Sequence, residues 1–305
     1  MTANLRASLL MAASMSGFTL NDALVKSLSD EINAGQVMVV RGLIMIAFLS
    51  AYIRLARVPM PLRSVGSPLI ALRVTGELLA TVFFLTALFN MPLSNVTAIL
   101  QALPLVVTLG AALFLGEPVG IRRFVAILIG FAGVLIVLRP GLEGFSVYGL
   151  LVVLAVICAA TRDLATRRLP GRIPSLLVTM LTTVAVTLFG MLLVQPLGGW
   201  APMNWDILWR LAVASACLFV GYQCVVLAMR DGDIHVVAPF RYTSLLWAIV
   251  LGVLFFGEFP DGLTMMGASI IVATGIYTLY RERVVSRGAA DAARLATTPP
   301  STHGT

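Results

Sequence analysis

Apolar residues run along this 305-residue chain in blocks of bilayer length rather than at the intervals of a soluble core. A span of the hydrocarbon layer takes about 20 mostly apolar residues. Ten such blocks follow one another: 6–27, 35–55, 67–89, 94–115, 120–138, 146–167, 173–195, 207–229, 235–256 and 262–281. Breakers separate them, namely Pro59 and Pro61, Pro92, Pro118, Pro140-Gly141, Pro170-Gly171, Pro196 with Gly198-Gly199, and Pro260. The pattern predicts an all-α integral membrane protein of ten transmembrane helices, with no room between them for a soluble domain. Asn21, Asp22 and Lys26 close the first block without a small-residue cleavage site, so it reads as a retained span rather than a signal peptide. The tail, 284–305, rich in Ala, Thr and Pro, is expected to be disordered and cytoplasmic.

Composition strengthens this reading. Hydrophobic residues make up 59% and charged residues 11%, against about 25% charged in soluble domains. The net charge of +7 does not point to nucleic acid, because the arginines are scattered through short loops. Arg54, Arg57 and Arg63, then Arg122 and Arg123, then Arg162, Arg167, Arg168 and Arg172, then Arg230, then Arg281, Arg283 and Arg287 all fall on one side of a ten-span topology. The opposite loops carry essentially Arg139 alone, beyond Lys26 at the first helix end. The positive-inside rule then places both termini in the cytoplasm of a bacterial-type inner membrane. Cys158, Cys217 and Cys224 sit in apolar blocks without metal spacing and read as small fillers.

The chain also repeats itself. At an offset of 141 residues, Asp22 and Lys26 fall on Asp163 and Arg167, and Gly116-Glu117 falls on Gly257-Glu258. One residue further, Gly120, Gly133 and Arg139 fall on Gly262, Gly275 and Arg281. The halves are 1–140 and 141–283, each with five spans. Five is odd, so the second half enters the membrane inverted, an arrangement characteristic of secondary transporters.

The fourth span bears a proline and ends in Leu113-Phe114-Leu115-Gly116-Glu117-Pro118, followed by Gly130-Phe131-Ala132-Gly133-Val134. The ninth and tenth echo it with Pro239, Leu254-Phe255-Phe256-Gly257-Glu258 and Gly275; Arg162-Asp163-Leu164 and Arg167-Arg168-Leu169 stand at the sixth-span exit. In these residues the chain resembles the permeases with two EamA domains of the drug/metabolite transporter superfamily, over about residues 6–283. The resemblance implies a ten-helix basket whose central cavity is lined by spans 1–4 and 6–9. It also implies one small organic substrate, with members that export amino acids or drugs and others that import riboflavin or S-adenosylmethionine. Asn21-Asp22 and Ala238-Pro239-Phe240-Arg241-Tyr242 look nearer the vitamin importers.

Charge inside a bilayer costs at least about 2.5–3.5 kcal/mol per group, so such residues face the bundle interior. Arg73 and Glu77, one turn apart, read either as a self-neutralising structural pair or as cavity lining, and the second is preferred. Arg41 reads as a contact for a substrate anion or carbonyl, or as a partner for Asp22. Gln101, Tyr222, Gln223, Arg241 and Tyr242 complete the expected substrate-binding set. Asp22 with Lys26, Asp163 with Arg167, and Pro104 and Pro239 are expected to gate or to scaffold. Glu117 and Glu258 read as structural, placed by the dipole of the next helix. Phe83, Phe84, Phe240 and Trp247 either stack a planar ligand or simply pack. His235, between Asp231 and Asp233, reads as a loop residue.

A membrane enzyme would need a catalytic constellation, and the only histidines are His235 and His303, with no metal motif. No GxxxxGK[ST] loop is present, and no filter-like segment of a channel. The expectation is therefore a transporter and not an enzyme. No cofactor is called for. Its partners are a small molecule and the lipid bilayer, with a homodimer admitted. The best single substrate is riboflavin or a similar planar heteroaromatic metabolite; export of amino acids or drugs is the alternative.

Overall fold

The computed structural model describes residues 3–55, 57, 67–117, 120–140, 146–170, 173–232 and 234–297. Pro59, Pro61, Arg63, Pro118, Gly141, Gly171, Arg172, Asp233 and residues 298–305 lie outside the described residues, as do the side chains of Arg230, Asp231, His235, Arg283 and Arg287.

The first half comprises α1 (Ala3–Lys26), α2 (Ala34–Leu55), α3 (Pro68–Asn90), α4 (Leu93–Leu100), α5 (Leu103–Leu115) and α6 (Ile121–Leu138). The second comprises α7 (Val147–Arg167), α8 (Ser175–Val194), α9 (Trp205–Asp231), α10 (Ile234–Val237), a 3-10 turn over Ala238–Tyr242, α11 (Thr243–Phe256) and α12 (Gly262–Thr297). Among the described residues no strand occurs, and nine spans are long and apolar enough to cross a membrane.

The tenth is α1. Its 24 residues reach about 36 Å at 1.5 Å per residue, but Ser14, Thr19, Asn21 and Lys26 lower its hydropathy. These residues are buried because α1 packs against α9 and α11, so they meet protein rather than lipid. Ser14, for example, donates to the Gly221 carbonyl at 2.7 Å.

Two spans are broken where proline removes a backbone donor. Pro104 stands in the first turn of α5, after the break at Gln101-Ala102, and Pro239 opens the 3-10 turn of the ninth span. Gln101 and Tyr242 are mates at the offset of 141, so the two breaks are equivalent positions. The last helix differs from expectation: it runs past residue 281 to Thr297. The stretch Ala289-Ala290-Asp291-Ala292-Ala293 is rich in the strongest helix former.

The most extensive packing joins the two halves. α1 lies on α9, α3 on α7, α2 on α8 and α6 on α12. Inverting the molecule through its repeat exchanges the first two pairs and maps each of the others onto itself. Even the crossing points correspond. A Cβ on Gly17 would sit 3.1 Å from the Cys217 carbonyl oxygen, and one on Gly76 would sit 3.0 Å from that of Cys158. Gly17 and Cys158 are repeat mates, as are Gly76 and Cys217, so each crossing sets a glycine against the same neighbour's backbone.

Candidate functional site

The close approach at Gly76 positions the centre of the bundle. A Cβ there would also lie 3.2 Å from the Arg162 backbone nitrogen, so α7 presents Arg162 directly to α3. Arg162 Nη1 donates to Glu77 Oε2 at 2.7 Å and Nε donates to Asp163 Oδ1 at 2.8 Å. The ion pair expected between Arg73 and Glu77 is thus replaced. Glu77 binds Arg162 across the halves, and Arg73 turns to α8, where Nη1 donates to the Thr182 hydroxyl. Helical spacing brings Arg73 and Glu77 onto one face, but only the crossing decides which guanidinium reaches the carboxylate.

Arg41 on α2 stands within electrostatic range of Asp22, Tyr222 and Glu77, which fits the Asp22 partnership considered for it. Asn21 Nδ2 donates to Asp22 Oδ1 at 2.8 Å. Tyr222 on α9 meets Phe18 edge-on, with ring centroids 5.1 Å apart. Charged groups of α2, α3 and α7 act electrostatically on its phenol, and the residue is 48% exposed. Gln223 follows it, half-buried. Three guanidiniums (Arg41, Arg73, Arg162) and three carboxylates (Asp22, Glu77, Asp163) thus converge, and their formal charges cancel.

Other expected ligands are used elsewhere. Gln101 Nε2 donates to Ser244 Oγ at 2.9 Å, tying the break in the fourth span to the start of α11. Tyr242 is buried with its hydroxyl against Gly275 of α12, where even a Cβ would collide with it. It points at a peripheral helix, not at the charged centre. Arg241 is exposed in the 3-10 turn. Phe84 packs beside the main apolar cluster and Phe240 beside the cluster of Ala7, Met11 and Met15.

The ends of the bundle carry the remaining charges. Lys26 pairs with Glu258 at 2.9 Å, donates to the Met91 carbonyl, and lies 5.3 Å from the Phe256 ring centroid. Glu258 also accepts from the Leu93 backbone N–H at 2.8 Å, at the N-terminus of α4. The dipole that favours it is that of a helix in the other half, not the next helix. At the opposite end Arg167 lies 3.6 Å from Glu117. Gly116 and Gly257, with φ of 69° and 63°, end α5 and α11 in the left-handed region that glycine adopts freely, and so turn both glutamates out of their helices. Of the four charged residues expected to gate or to scaffold, Asp22 and Asp163 thus stand with the charged centre, and Lys26 and Arg167 at the two ends. Arg139 caps α6 and donates to Asp261 and, at 3.3 Å, to Thr264 Oγ1. The bond from Arg139, backed by the Thr264 N–H, pulls the Asp261 carboxyl from its ordinary 3.8 to about 2.

Sequence reasoning did not assign roles to Thr182 and Phe18, and valued Arg162 only as part of a motif. The repeat carried a signal for Arg162, since its mate is Asn21, beside Asp22.

Two inverted five-span halves around a polar, charge-balanced centre are an architecture of membrane transporters. The chain belongs to the EamA-like transporter family, whose model matches it twice, at residues 5–139 and 147–281, and it is a membrane transporter of the drug/metabolite superfamily. It is similar to a riboflavin transporter of Vibrio cholerae, 30% identical over 254 residues that cover 82% of this chain and 84% of the relative. A pseudopaline exporter, CntI, of Pseudomonas aeruginosa is 27% identical, covering 85% and 90%. An S-adenosylmethionine uptake transporter of Rickettsia conorii is 27% identical, covering 63% and 65%. A solved crystal structure shares the fold, with a TM-score of 0.60 at 20% identity over 91% of this chain and 98% of that one.

Proposed function

We propose that this transporter lies in a bacterial inner membrane with both termini in the cytoplasm. By alternating access it takes up a small, planar, polar heteroaromatic metabolite, with riboflavin first among the candidates. The observation that carries this reading is the charge-balanced centre. Three guanidiniums and three carboxylates give the centre no net formal charge but separate local positive and negative groups, which suits a neutral or zwitterionic ligand rich in hydrogen-bonding groups. Arg41, Arg73 and Arg162 supply donors for ring carbonyls. Glu77, Asp22, Gln223 and Thr182 face hydroxyls and ring N–H groups, and Tyr222 beside Phe18 offers a stacking surface. The 30% identity to a riboflavin transporter supports the same choice. Gln101, Tyr242 and Arg241 serve the scaffold of the broken spans in this reading.

Export is the second reading, favoured by the similarity to a pseudopaline exporter. Expression in a riboflavin auxotroph separates the two. Uptake predicts growth on low riboflavin, and no rescue despite expression in the membrane removes riboflavin import. Proteoliposomes given a labelled metabolite panel, with and without a pH gradient, then report direction and coupling. Reporter fusions should place Gly199 outside and Gly232 in the cytoplasm; the same side for both would overturn the ten-span topology, and the reverse sides the orientation.

A further inference from the structure

We infer that Lys26–Glu258 and Arg167–Glu117 are the two ends of one reciprocal latch, each ion pair locking one face of the transporter while the other opens. This rests on the alternating-access reading above.

Four observations support it. First, both pairs join a residue of one half to a residue of the other, so neither survives separation of the halves at its own end. Second, they are the same pair twice. Lys26 and Arg167 are repeat mates, as are Glu117 and Glu258, and the inversion places them at opposite ends of the bundle. Third, they differ in state. Lys26–Glu258 is 2.9 Å long, with side chains 9% and 22% exposed, while Arg167–Glu117 is 3.6 Å long at 52% and 54%. Beside the second pair Arg168 Nη2 still donates to the Phe114 carbonyl across the halves at 2.8 Å, so that end is closed by exposed contacts and the Lys26 end by a more buried ion pair. Fourth, a polar cavity of about 600 Å³ lies over the locked pair, lined by Ser27, Ser29, Asp30 and Asn90 as well as Lys26 and Glu258. It forms a vestibule whose floor is the latch. Each glutamate follows a left-handed glycine and returns its N–H to its own helix, Glu258 to the Gly252 carbonyl at 3.0 Å and Glu117 to that of Ala111 at 3.3 Å, so the carboxylate can leave its cation by a side-chain movement without unwinding the helix.

Distances between spin labels test this without any substrate, so failure of the riboflavin assignment leaves it standing. In a background lacking Cys158, Cys217 and Cys224, one label pair on Ser29 and Phe255 reports the Lys26 end. A second on Leu113 and Thr166 reports the Arg167 end. Glu258→Gln should lengthen the first distance and shorten the second, shifting the ratio of states about tenfold or more, since a buried pair is broken. Glu117→Gln should shift it the other way by about two- to five-fold, as befits an exposed pair, and the exchange Arg167→Glu with Glu117→Arg should restore the original ratio. Should Glu258→Gln fail to fold, the half-exposed Arg167–Glu117 end decides by itself. Widening at both ends together, or no change from Glu117→Gln, would overturn the latch.

Discussion

Glu77 should be energetically coupled more strongly to Arg162 on the opposite half than to Arg73 on its own helix. The perturbation is a pair of double-mutant cycles, Glu77→Gln crossed with Arg162→Gln and Glu77→Gln crossed with Arg73→Gln. In the first, a direct bond of 2.7 Å between side chains each 22% exposed is removed. Breaking a fully buried pair costs about 3–5 kcal/mol. Partial exposure and the remaining Asp163 partner, at 2.8 Å, reduce this, so a coupling of about 1–3 kcal/mol is expected, the range seen for residues in one network. In the second cycle no bond joins the residues; Arg73 loses its charged hydrogen bond to the Thr182 hydroxyl, about 1.5–3 kcal/mol, which does not involve Glu77. The Coulomb attraction between neighbours one turn apart leaves a smaller coupling there, on the order of 0.5 kcal/mol. Reversible unfolding in mixed micelles gives the stabilities, and initial uptake rates at matched expression give the functional cycle. A Glu77–Arg73 coupling as large as that for Glu77–Arg162 would refute the cross-half arrangement.

Two further outcomes follow from the geometry. Gly17→Ala and Gly76→Ala should each destabilise the protein by about 1–3 kcal/mol, although alanine is intrinsically the better helix residue, because each Cβ meets a carbonyl at 3.1 or 3.0 Å; a raised thermal midpoint in either variant would contradict the close crossing. Asp261 titrates near 2 when folded and near 3.8 when unfolded, so its contribution is complete above about pH 4 and is lost as pH falls through 2. Asp261→Asn should therefore lower stability at pH 7 by less than about 1 kcal/mol, the carboxylate being half exposed. The deficit relative to wild type should shrink towards pH 2 in a thermal-melt series, and a deficit constant across that range would exclude the Arg139 pairing as its cause.

Much of this fold is legible along the chain because its determinants are local. Span length reflects how many apolar residues cross a hydrocarbon layer, and a proline breaks a helix wherever it stands. An offset of 141 that brings Lys26 onto Arg167 and Glu117 onto Glu258 implies duplication, and five spans per half imply inversion. α1 shows where local reasoning meets its margin. Its polar residues take it below the hydropathy of the other spans, and it remains a helix of spanning length because α9 and α11 cover them.

The partners of the charges are another matter. That Arg41, Arg73, Glu77, Asp22 and Asp163 face inward follows from what charge costs in lipid, a property of each residue in its span. That Glu77 binds Arg162, that Arg73 binds Thr182, that Lys26 reaches Glu258 and that Tyr242 turns to Gly275 depend on how far each helix is rotated and slid against another. Those rotations are set by backbone contacts such as Gly76 on Cys158, made between residues 82 apart in the chain. The pattern of spans and the repeat were therefore determined by the amino-acid sequence read in order, whereas the pairing of charges was decided only when the two halves packed, because a helix's spacing specifies its own face and not the face it meets.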